Sequence, residues 1–138
     1  MTSTIPTISE LDAARIREMA VHSHGYGGVA VVGALLDWVS SEADVVPAKQ
    51  ITPDVVTLGS TVSYKEIDSH EVHRVAVVHP ADSSIPERRI SVLSPVGRAL
   101  LGRRVGEYSE VSMPAGRQRL IQVLELHYQP EAAGVAVP

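Results

Sequence analysis

Apolar positions change their rhythm partway along the chain. Leu11, Ala14, Ile16 and Met19 recur at roughly helical spacing, which predicts an amphipathic helix from about Ser9 to Val21. Ser9 stands where its hydroxyl can cap the free amide of Asp12, and Glu10 and Asp12 suit the positive end of the helix dipole. Gly25, Gly27 and Gly28 then make continued helix costly. A second apolar stripe, Val32, Leu35, Leu36 and Val39, predicts a helix from Val29 to about Glu42. Two short helices joined by a brief turn should pack as an antiparallel hairpin, a short coiled coil. Pro47 and Pro53 mark a connector after it.

From Val55 onward the runs shorten and become β-like. Val55–Leu58 and Thr61–Tyr64 flank Gly59-Ser60, and Val72 to Val78 is β-branched after a turn at Asp68-Ser69-His70. Arg89 to Val92 alternates as a half-buried strand does. Ser94 then reads as an N-cap, Pro95 as a first helical residue and Gly102 as a stop, enclosing one short helix. Tyr108 to Met113 and Leu120 to Tyr128 close the pattern as strands. The second is apolar on both faces near its middle, so it belongs inside the sheet. These elements predict an α+β chain: a helical hairpin over 1–46, a linker over 47–54, an antiparallel-sheet domain over 55–130 and a loose tail over 131–138.

Composition narrows the partners. The net charge is −4 and Lys and Arg nowhere cluster, which argues against gripping nucleic acid through its phosphates. With no cysteine, disulfides, thiolate metal sites and Cys nucleophiles are all excluded. No basic flank precedes an apolar stretch at the N-terminus, and Val29 to Leu36 is too short to span a bilayer. A cytoplasmic, monomeric protein with a protein partner or small ligand is expected.

The segment from Ile90 through Ser94-Pro95, Ala99-Leu100-Leu101-Gly102, Arg103-Arg104 and Val105-Gly106-Glu107 resembles the C-terminal domain of Gre-type transcription factors. The likeness extends from about Asp54 to Tyr128 and implies an FKBP-like fold. Leu11-Asp12-Ala13, Asp54-Val55-Val56-Thr57 and the end from Leu124 to Gly134 resemble, more narrowly, the regulators of nucleoside diphosphate kinase. That resemblance implies binding to RNA polymerase near its secondary channel, in competition with Gre factors. It makes Leu93, Ser94, Pro95 and Arg98 the expected partner contacts, with Leu93 standing where some Gre factors carry an acid. Arg98, Arg103 and Arg104 read equally well as a solvated face.

In Gre factors, acids at the tip of a long coiled coil help hold a catalytic magnesium ion. Here a helix from Ser9 to Val21 spans only about 20 Å. The tip offers His22, His24 and Tyr26 but no carboxylate, whereas Mg²⁺ wants oxygen ligands. No catalytic residue, cofactor or metal site is therefore expected. His70-Glu71-Val72-His73 lacks the HExxH spacing and reads as exposed turn histidines, and Gly25-Tyr26-Gly27-Gly28 lacks the Lys and Ser/Thr of a phosphate loop. Two other functions are weighed. One is an interaction protein that regulates nucleoside diphosphate kinase by another route. The other is a prolyl isomerase, disfavoured because the chain has no Phe and one Trp, Trp38, which reads as a packing residue where the two units meet.

Overall fold

The structure, a computed structural model, describes residues 5–21 and 29–134. The predicted tip residues His22, His24 and Tyr26 lie outside them. The chain opens with a short strand, β1 (Thr7–Ser9), continues through α1 (Glu10–Val21) and α2 (Val29–Ser41), and returns as β2 (Asp44–Val46). β1 and β2 pair in parallel, with Ile8 opposite Val45. Neither strand is legible as a periodic run, because three residues are too few to show alternation.

Ser9 caps α1 as expected: its Oγ accepts the Asp12 amide at 3.0 Å. The buried stripe differs from the predicted one. Ala13, Ile16 and Met19 face inward, but Leu11 is 49% exposed and Asp12 is fully buried. On α2, Val32, Leu35 and Val39 are buried and Leu36 packs beside them. These side chains share one hydrophobic cluster with Val56, Leu58, Val62, Leu100, Ile121 and Val123, so the helical pair completes the core over the sheet.

The main sheet has five strands in the order β5-β4-β3-β7-β6. β3 (Thr61–Glu66) and β4 (Val72–Val78) form a hairpin about the predicted turn, where His70 adopts φ 63° and donates its amide to Glu66 at 2.8 Å. β7 (Gln118–Tyr128) lies between β3 and β6 (Tyr108–Ser112), the interior place that its apolar middle predicted. The expectation of an all-antiparallel sheet needs correction. β5 (Arg89–Ser91) runs parallel to β4, because the chain turns through Pro80–Asp82 and doubles back over 83–88 before pairing.

Val55–Leu58, expected as a strand, is a buried crossing segment instead. Val56 exchanges hydrogen bonds with Arg103 and Gly102, and the Leu58 amide reaches the Asp12 carboxylate. These residues are apolar because the core covers them, not because they form a ladder. The tail also begins in order: Pro130–Ala133 form a helical turn, α4, before Gly134 at φ 74°. Pro130 is buried against Gly59, where an added Cβ would lie 2.9 Å from its ring, and Glu131 accepts a hydrogen bond from Thr57 at 2.7 Å. That anchoring is a tertiary effect which local polarity conceals. Among the described residues no helix is long and apolar enough to cross a membrane.

Candidate functional site

The third helix, α3 (Pro95–Leu100), starts as predicted. After β5 the chain turns sharply, and the Ser94 amide returns to the Ser91 carbonyl at 3.0 Å. The Ser94 hydroxyl donates to that same carbonyl at 2.6 Å and accepts the Gly97 amide at 3.2 Å. Ser91 Oγ accepts the Leu93 amide at 3.0 Å. Four bonds over a few residues leave this turn little freedom. Gly97 is the piece that allows it, since a Cβ there would stand 2.1 Å from the Ser91 carbonyl oxygen. Leu100 and Leu101 are buried beneath the helix, and Gly102 at φ 82° ends it.

Beside this helix start lies an open cleft of about 380 Å³. Trp38 of α2 and Glu42 just after it form one wall, Pro95, Arg98 and Ala99 of α3 another, and Ser109, Glu110 and Ser112 of β6 a third, with Leu93 and Arg103 also lining it. Cross-links hold the walls in place: Arg98 donates to the Ala34 carbonyl at 3.3 Å, and the Ser109 hydroxyl to the Ala99 carbonyl at 2.8 Å. Two acids and two arginines border the cleft around an apolar strip of Trp38, Leu93 and Pro95. Such a surface suits a protein segment better than a uniformly charged ligand.

Of the four expected contact residues, Leu93, Pro95 and Arg98 line this cleft, and Pro95 is exposed at the helix start. Ser94 sits just behind them, its hydroxyl occupied within the turn. Trp38, read as packing where the two units meet, does rest against the core, but it also faces the cleft. Its place in the site is not legible in the sequence, because 57 residues separate Trp38 on α2 from Pro95 on α3 and only folding joins them. The arginines are not a free solvated face. Arg104 donates to Thr52 at 2.9 Å and to Thr7 at 3.3 Å, and its amide bonds Glu107 at 2.7 Å.

One row of side chains has the composition of a nucleophile and its base. Ser63 Oγ lies 2.7 Å from His127 Nε2, and His127 Nδ1 lies 3.5 Å from Glu125. It sits on the adjacent strands β3 and β7, where the register shifts past His127. The row is best understood as a cross-strand polar contact.

Residues 51–128 match the family described as transcription elongation factor, GreA/GreB, C-term. The regulator of nucleoside diphosphate kinase of Escherichia coli (strain K12) is 37% identical over 127 residues, covering 92% of this chain and 92% of that protein. Transcription elongation factor GreA of Rhodospirillum rubrum is 38% identical over 81 residues, or 59% of this chain and 52% of its own length. Among solved structures, the prokaryotic transcription elongation factor GreA/GreB from Nitrosomonas europaea is similar with a TM-score of 0.69 and 32% identity, covering 89% of this chain and 99% of that one. The Gre likeness thus centres on the part that carries the sheet and α3, while the regulator likeness runs nearly end to end. The chain belongs to the GreA/GreB C-terminal family and, within it, to the regulators of nucleoside diphosphate kinase.

Proposed function

We propose that this protein is a non-catalytic regulator that binds bacterial RNA polymerase near its secondary channel, competes there with Gre factors and so modulates transcription in the cytoplasm. The observation that carries this reading is the braced start of α3 beside the cleft, in a chain of the Gre family. The Ser94 hydroxyl is spent on the turn, so Ser94 shapes the surface while Leu93, Pro95 and Arg98 meet the partner. Rigid presentation lowers the entropy cost of docking. The helices α1 and α2 hold 12 and 13 residues, reaching only about 20 Å. That short reach supports binding without stimulated transcript cleavage.

The test is retention of core polymerase by the immobilised protein, with Pro95→Ala and Leu93→Asp in parallel. Retention at micromolar concentration, weakened roughly tenfold by Pro95→Ala, is expected, about the effect of losing one central contact. Leu93→Asp, which restores the acid of some Gre factors, should strengthen it. No retention by the unaltered protein would sink the reading. The end-to-end likeness to the regulator from Escherichia coli favours a second reading, direct action on nucleoside diphosphate kinase. Capture of the kinase without polymerase in the same experiment would select it.

A further inference from the structure

At one rim of the main sheet, the core-facing rows of three neighbouring strands end in polar side chains. On β3 the row runs Val62, Tyr64, Glu66; on β4 it runs Val75, His73 and then Glu71; on β7 it runs Val123, Ile121, Arg119. The Glu66 amide donates to the Glu71 carbonyl at 2.8 Å, which sets the two carboxylates opposite each other. One ligand atom from each of Glu66, Glu71 and His73 lies within 4.8 Å of the others. His73 Nε2 is 2.9 Å from Glu66 Oε2.

We propose that Glu66, Glu71 and His73 form a binding site for a divalent transition-metal ion of the zinc class, with water completing its coordination. Like charges opposite one another on paired strands are unfavourable, and a cation between them removes that cost. The residues around the cluster hold the ligands in place. Arg119 donates to Glu66 Oε1 at 2.9 Å, leaving Oε2 turned toward His73. The Tyr64 ring lies against the imidazole, with centroids 5.3 Å apart. Ser69 Oγ accepts the Glu71 amide at 3.2 Å, steadying the turn.

The donor set chooses the class of ion. One imidazole with two carboxylates suits zinc and its first-row neighbours, whereas Mg²⁺ and Ca²⁺ prefer oxygen throughout. On binding, the ion takes the place of the Nε2–Oε2 hydrogen bond, and the imidazole ligates through Nε2 as its Nδ1–H tautomer. Three protein ligands at a part-exposed rim leave positions open to water. The spacing within His70-Glu71-Val72-His73 carries no sign of this site, because its third ligand comes from the opposite strand and His70 takes no part.

The experiment is calorimetric titration of the metal-free full chain with Zn²⁺, with Co²⁺ absorption as a second readout of coordination. One ion per chain is expected, with affinity lowered about tenfold or more in His73→Ala and in Glu71→Gln. Arg119→Gln should tighten binding, since the guanidinium repels the ion and occupies Glu66. A variant with His22, His24 and His70 all changed to Ala should bind as the unaltered chain does. Glu71→Gln is exposed and nearly isosteric, so its effect is read on a folded protein, checked by circular dichroism. The proposal is overturned if Zn²⁺ fails to bind at millimolar concentration. It is equally overturned if both His73→Ala and Glu71→Gln bind undiminished, which would put the ion elsewhere.

Discussion

Asp12 shows how far one side chain's surroundings can depart from its local reading. Its Oδ2 accepts the Leu58 amide at 3.1 Å, while Oδ1 is buried with no hydrogen-bond partner among the described residues. Burial lifts its carboxyl from 3.8 to about 7; the charge of Glu131 adds to the rise, while the Leu58 amide and Arg15 oppose it. Between those two values the folded chain holds a proton that the unfolded chain has released. Stability therefore falls as pH rises from 3.8 to about 7 and levels off above. The contribution is at most on the order of 4 kcal/mol. His79, whose pKa is lowered by burial and by Arg15, acts in the opposite sense, but it is part-exposed and so weaker. Asp12→Asn should flatten the dependence and be the more stable chain at pH above 7, as checked by urea unfolding at acidic and neutral pH. Equal pH slopes in the two chains would contradict this account.

At the scale of an element, α3 and its turn concentrate the testable energetics. Gly97→Ala drives a Cβ into the Ser91 carbonyl, so the helix must shift off β5. A loss of more than about 2 kcal/mol is expected in denaturant unfolding, in the range of overpacked sites. Ser94→Ala removes an N-cap and should cost about 1 kcal/mol. Because it also loosens the turn, it should weaken polymerase retention without touching Leu93 or Pro95. The helix itself was legible, since Ser-Pro at its start and Gly at its end are local signals with local causes. Val55–Leu58 misleads for the converse reason: a run of β-branched and apolar residues reports burial, and burial does not require a ladder. The direction of β5 was equally hidden, because parallel and antiparallel partners of a three-residue strand carry the same side chains.

Across the whole molecule, one core joins the parts that composition separates. Thr7 donates its amide to the Gly102 carbonyl at 3.0 Å, Arg98 reaches Ala34, and Leu35 is fully buried in the cluster that includes Val62 and Ile121. Leu35→Ala should therefore cost about 2–5 kcal/mol. The loss should appear in one cooperative transition, with Trp38 fluorescence and far-UV dichroism changing together. Separate transitions for the helical pair and the sheet would refute that coupling.

The sequence by itself determined the type of nearly every longer element, the caps of α1 and α3, the interior place of β7 and the family. Each of these rests on side-chain periodicity, cap chemistry or residue identity within a short window. Only the tertiary structure decided that Asp12 is buried, that β1 and β2 pair across the helical pair, and that α4 is anchored by Thr57 and Gly59. It also decided that Trp38 shares a cleft with the α3 start and that Glu66 stands opposite Glu71 and His73. Those features depend on contacts between residues distant in the chain or facing one another across strands, where a linear pattern carries no record of the partner.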